Sequence, residues 1–68
     1  MNSSAFATIL ESQRDATENQ IQQLEQGRMR LYRVVAGGRD VDVTQEQIRV
    51  LRNQVTELTR AIALCRQA

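Results

Sequence analysis

The sequence predicts an α+β fold, helix–β-hairpin–helix, in which two antiparallel helices pack on a two-stranded hairpin. Three observations carry this reading. A Gly37-Gly38 pair separates two short segments rich in Val and Tyr, a capped and regularly spaced apolar stripe runs on from Thr44, and a thinner helical stripe precedes Gly27. The whole chain of 68 residues makes one small domain, with helices over about 4–26 and 45–66 and the hairpin over about 30–43.

The hairpin rests on its turn. Two-residue hairpin loops need positive φ, which glycine supplies without steric cost. Placing Gly37 and Gly38 in such a loop sets Ala36 opposite Arg39, Val35 opposite Asp40, Val34 opposite Val41, Arg33 opposite Asp42 and Tyr32 opposite Val43. Strand side chains alternate between faces, so this register collects Tyr32, Val34, Val41 and Val43 on one apolar face. On the other face it places Arg33 against Asp42, an opposite-charge cross-strand pair.

The first helix starts at Ser3 or Ser4, either of which can cap it. Phe6, Ile9, Leu10, Thr17, Ile21 and Leu24 follow at helical spacing, with a polar, Gln-rich middle between Leu10 and Ile21 that points to loose packing or a partner. Gly27 is the expected stop, since glycine tolerates the left-handed conformation just past a helix end. The alternative is an all-α helical hairpin in which this helix runs on through residue 36. Continuing the heptad places Arg14 and Arg28 at seam positions, which is costly unless they are paired, and LYRVV at 31–35 favours strand.

The second helix carries the strongest signals. Thr44 is an N-cap, Gln47 completes a capping box, and Val43 with Ile48 forms a hydrophobic staple. Ile48, Leu51, Val55, Leu58, Ile62 and Cys65 then hold unbroken three-four spacing, widened by Val50, Ala61 and Leu64, and are the expected packing face, with Leu51 and Leu58 among the most buried. Glu46 with Arg49 and Glu57 with Arg60 are spaced as i,i+3 ion pairs on the solvent side.

Composition narrows the class. Hydrophobic residues are 41% and charged residues 25%, a globular balance, while the aromatics are Phe6 and Tyr32 alone, so the core is small. No apolar run approaches the ~20 residues of a spanning helix, and the N-terminus lacks a signal-peptide pattern, which reads as cytosolic. Net charge is +1 but polarised: residues 1–27 hold one Arg against four carboxylates, net −3, and residues 28–68 hold eight Arg against four, net +4. That asymmetry suits an assembly subunit with an acidic and a basic side better than a free-standing nucleic-acid binder.

The residues permit little catalysis. Without histidine the chain lacks the usual general base and the commonest transition-metal ligand, and one cysteine excludes an internal disulfide or a cysteine-rich zinc site. Cys65 continues the apolar stripe with nothing to activate it. Asp40 and Asp42 lie beside arginines, and no phosphate-loop motif surrounds Gly37 and Gly38. The expectation is no enzyme activity, no catalytic residue, no cofactor and no metal. Arg28, Arg30, Arg33 and Arg39 form the densest basic cluster. They are read first as solvated strand charges paired to Asp40 and Asp42, and second as contacts to DNA backbone or an acidic protein surface. Base readout has no support, since there is no recognition-helix motif or stacking aromatic pair.

The order helix, Gly27, basic strand, glycine turn at Gly38, then Arg39, Val41, Asp42, Thr44 and the Ile48, Leu51, Val55, Glu57, Leu58 stripe resembles a phage family. It is similar to the head-to-tail joining, or head completion, proteins typified by gpW of bacteriophage lambda. The resemblance covers about residues 20–62, with a first strand about one residue longer here. It implies a structural protein of the virion, made in the host cytoplasm. Copies would form a homo-oligomeric ring on the portal after DNA packaging and offer the tail its docking surface. Partners would be portal and tail proteins, with non-specific DNA contact through the arginines and no membrane. Two departures are the acidic, Gln-rich extension of helix one and the lack of a docking tail after helix two. A second class also fits. The size and the C-terminal Ala61-Ile62-Ala63 resemble the two-helix YscE-like co-chaperones of type III secretion, for which residues 30–43 would be helical. A phage- or host-encoded regulator that packs a helix on its target is a third.

Overall fold

A computed structural model describes residues 3–67 of the chain. Helix α1 spans Ser3–Glu25, strand β1 Tyr32–Val34, strand β2 Asp40–Asp42 and helix α2 Thr44–Gln67. The strands pair antiparallel, and the helices run antiparallel alongside each other, as the Glu25–Arg52 and Glu11–Arg66 ion pairs show. The helix–hairpin–helix arrangement is therefore present, and residues 32–34 and 40–42 exclude the all-helical alternative.

α1 stops for the reason Gly27 suggests. Gly27 has φ 75°, its N–H bonds the Leu24 carbonyl at 3.2 Å, and the Arg28 N–H bonds the Gln23 carbonyl at 3.1 Å. These two bonds are the Schellman closure, which satisfies carbonyls the helix would otherwise leave open.

The face α1 buries differs from the expected stripe. Ala7, Ile21 and Leu24 are buried and Leu10, Arg14 and Thr17 half-buried, a three-four seam from one end of the helix to the other. Phe6 and Ile9 are instead exposed, at 45% and 47%. Both sit a residue or so off the seam, so when Ala7 faces α2 they point aside. Arg14 does occupy a seam position, and it is partnered there: its guanidinium donates to the Thr59 hydroxyl at 3.3 Å and lies 3.7 Å from Glu18. Arg28 falls beyond the Schellman closure and leaves the seam altogether.

In α2, Ile48, Leu51 and Ile62 are buried as expected, and Val55, Leu58, Ala61 and Cys65 are half-buried. Val50 and Leu64, expected to widen the stripe, are exposed because they lie off the side that meets α1. Leu58 is thus less buried than its spacing suggests, because it borders an open groove between the helices. The core proper is Ile21, Leu24, Ile48 and Leu51, with Leu31 and Val55 against it. It lies at the hairpin end of the helix pair. The molecule is long, 51 × 24 × 17 Å, with a radius of gyration of 15.7 Å against roughly 11 Å for a compact chain of this length.

The start of α2 is built differently from a simple threonine cap. The Gln47 N–H bonds the Val43 carbonyl at 2.9 Å, so the helical ladder begins at Val43. The Thr44 N–H is taken by the Asp42 carboxylate at 2.9 Å, an Asx-type turn two residues long. Thr44 itself is buried, and its hydroxyl accepts the Leu31 N–H at 3.0 Å. Asp42 is the capping side chain, and Thr44 ties the helix to the chain entering β1.

Candidate interaction surface at the hairpin end

The hairpin register is one residue away from the sequence expectation. Tyr32 pairs with Asp42, Arg33 with Val41 and Val34 with Asp40. The Val35 N–H bonds the Arg39 carbonyl at 3.0 Å and the Gly38 N–H bonds the Val35 carbonyl at 3.0 Å, so the loop is Ala36-Gly37-Gly38, three residues long. Both glycines keep the positive φ that motivated the turn, 92° at Gly37 and 76° at Gly38. A tight bond from Val35 to Gly38 with positive φ at Gly37 has the sign a type II turn needs at its third position.

A slip of one residue moves every side chain relative to its partners. Tyr32 and Val34 share a face with Asp40 and Asp42, while Arg33 and Val41 lie on the other, together with Val35 and Arg39. The expected apolar face of Tyr32, Val34, Val41 and Val43 does not form. Nor does the Arg33–Asp42 pair. The physical reason is burial: all six strand residues are exposed, so neither face gains by being apolar. Register is held at the loop and at the opposite end, where the Val43 N–H bonds the Leu31 carbonyl at 2.9 Å and the Thr44 hydroxyl meets Leu31.

The four arginines divide accordingly. Arg30 lies 3.4 Å from Asp42, and Arg33 reaches Glu46 at the start of α2, 3.8 Å away. Among the described residues, Arg28 and Arg39 have no carboxylate partner within ion-pair distance. Asp40, expected to neutralise the cluster, takes no part in an ion pair among those residues. The i,i+3 pairs expected of Glu46 with Arg49 and Glu57 with Arg60 also do not form; Glu46 turns to Arg33. The ion pairs that do form are largely exposed and add little to stability. The Asp42 carboxyl is held below its ordinary value. The Thr44 hydroxyl contributes most, then the Thr44 backbone N–H, with the Arg30 charge in support.

What results is a solvent-exposed β-arm with Arg33 and Arg39 on one face, Arg28 at its base, and Tyr32 and Val34 on the other face, 60% and 70% exposed. Such an arm can contact an anionic backbone or an acidic protein surface. Among the described residues no cluster of three or more His, Cys, Asp or Glu could hold a metal, and no helix is long and apolar enough to cross a membrane.

A second feature lies along the polar middle of α1, the stretch expected to pack loosely or on a partner. A shallow groove between the helices is lined by Gln13, Ala16, Val50, Gln54, Glu57 and Leu58. The signal was available: α1 positions 6, 9, 13, 16 and 20 carry no charge in a chain that is 25% charged. No protein-family model matches the chain, nor does any curated protein or solved structure.

Proposed function

We infer that the chain is a structural joining protein of a tailed-phage virion, without enzymatic activity, that adds to the portal ring after DNA packaging and gives the tail its docking surface. The observation that carries this reading is the basic, exposed β-hairpin held at one end of an antiparallel helix pair. The co-chaperone reading calls for helix at residues 30–43, where the chain has two strands. Within the joining reading, Arg28 and Arg39 are the residues free to meet DNA backbone in the channel or an acidic neighbour, since Arg30 and Arg33 already have carboxylates. Each phosphate contact would add a salt-dependent increment to affinity.

The test is complementation of a strain deleted for this gene. The double variant Arg28→Glu/Arg39→Glu should fold normally yet yield filled heads that leak or lack tails. Wild-type titres from that variant remove the role of the arginines. A deletion strain that makes normal tailed particles removes the joining function itself.

A further inference from the structure

The two sides of the helix pair differ in kind. One side carries the Glu11–Arg66 and Glu25–Arg52 pairs and the Arg14–Thr59 bond. The other is the groove side, where Gln13 and Ala16 of α1 lie across from Val50, Glu57 and Leu58 of α2. Side chains seven residues apart share a helix face, so Phe6 and Ile9 extend the Gln13–Ala16 row and Leu64 extends the row of Glu57. Phe6, Ile9, Val50 and Leu64 are 45%, 47%, 43% and 62% exposed. Glu57 is the one charge among these residues.

The areas bound the size of a partner, since the elongated chain exposes more surface than a compact monomer would. The chain exposes 5074 Å², against about 4,300 Å² for a compact monomer of 7.7 kDa, an excess of roughly 700 Å². Helices of 23 and 24 residues, about 35 Å long and packed 8–10 Å apart, present a flat face of roughly 650 Å². A stable interface takes about 800 Å² from each partner, counted over corrugated side chains. A second copy of the chain offers a helix pair of the same length and flatness, with Glu57 the one charge among the groove-side residues named above.

We propose that this face docks a second copy of the chain about a two-fold axis running along the helices, forming a four-helix bundle with both hairpins at one end. The ion pairs set the level of each helix against the other, and they place Phe6 and Ile9 at the same end as Leu64. An axis along the helices brings those residues of both copies into one apolar cluster and lays each α1 on the other copy's α2 as antiparallel neighbours. It also sets Glu57 against the uncharged Gln13–Ala16 row. An axis across the helices would bring the two Glu57 carboxylates together and lay the apolar end over the polar one. The result is a dimer with two basic arms side by side.

Sedimentation equilibrium on the full chain, from about 10 to 300 μM, should give twice the 7.7 kDa chain mass. Ile9→Glu and Leu64→Glu, both at exposed positions, should shift that mass to the monomer, and Arg28→Glu should leave it unchanged. Spin labels placed by Arg39→Cys in a Cys65→Ala background should lie within roughly 30 Å of each other, a few helix diameters. Labels at opposite ends of a bundle of two 51 Å molecules would stand much further apart. A monomeric wild type, or a dimer indifferent to both Glu substitutions, overturns the proposal. Labels separated by more than about 50 Å, beyond the width of a four-helix bundle, overturn the axis. These readings use the isolated chain, so they stand or fall separately from the particle assay for joining.

Discussion

Thr44→Val tests the joint on which the hairpin hangs. Valine has the shape of threonine, so the substitution removes the hydroxyl and little else. The hydroxyl accepts the Leu31 N–H at 3.0 Å, and no other acceptor among the described residues takes that N–H. Thr44 is 1% exposed and Leu31 half-buried, so water replaces the lost acceptor only in part. A neutral hydrogen bond is worth about 0.5–1.5 kcal/mol net, and stranding a buried donor costs about 1–3 kcal/mol. The expected loss is therefore about 1–2 kcal/mol, which for a domain of this size lowers Tm by roughly 4–15 °C. Thermal and urea unfolding at one fixed chain concentration would measure it, with Thr44→Ser as the control that keeps the hydroxyl. Two local readouts should move with it. The Leu31 amide should lose its protection from exchange, and the Asp42 carboxyl should titrate closer to its ordinary value, since the Thr44 hydroxyl is the main cause of its depression. A Thr44→Val protein as stable as wild type, with Leu31 still protected, would show that the hydroxyl does not hold the joint.

Three further outcomes follow from the packing and the turn. Leu51→Ala, at a site 5% exposed in the four-residue core, should cost about 2–5 kcal/mol, whereas the half-buried Leu58 should cost clearly less in the same urea titration; equal losses would contradict the core's placement at the hairpin end. Gly38→Val should destabilise by about 1–2 kcal/mol through backbone strain alone, because a Cβ there meets nothing within 4 Å and φ is +76°; unchanged urea midpoints would mean the left-handed conformation is not needed. The carboxyl of Asp42 is depressed on folding, so its contribution is complete above the unfolded value near pH 4 and disappears as pH falls through the lower folded value. Asp42→Asn should flatten that acid limb of the stability–pH curve, and an unaltered limb would assign it to other carboxylates.

The helices, the hairpin and the stop at Gly27 were legible in the sequence because each depends on local chemistry: three-four spacing, a glycine that takes positive φ, strand-favouring Val and Tyr. The hairpin register was not. Reading it from alternation assumes that one face is buried, and here Tyr32, Val34 and Val41 all face solvent. The position of Asp42 was likewise hidden. It looked like a strand charge opposite Arg33, and it is the residue that caps α2, leaving Thr44 free to bind Leu31. Rotation of α1 about its own axis also escaped the pattern. Phe6 and Ile9 are the larger residues, yet Ala7 faces α2, and hydrophobicity alone could not say which of two adjoining stripes meets the partner helix. The arginine cluster was visible as composition, but only the register separates Arg28 and Arg39 from the two that are already paired.

The off-centre core gives the folding of the chain a direction. Ile21, Leu24, Ile48 and Leu51 lie next to the turn, where the bonds from Leu31 to Val43 and Thr44 close a loop of about a dozen residues. Closing so short a loop has a modest entropic cost, and it delivers the two helix ends to each other with the largest apolar gain available. From there the helices can zip outward past Thr17 and Arg14, where the seam is half-buried, toward the buried Ala7 and Ile62. Amide exchange along α1 should then be slower at residues 21–24, inside the core cluster, than at residues 10–17. A single copy would behave as a clasp, tightest at its hinge and readiest to part at the end where Phe6, Ile9 and Leu64 stay exposed until a second copy covers them.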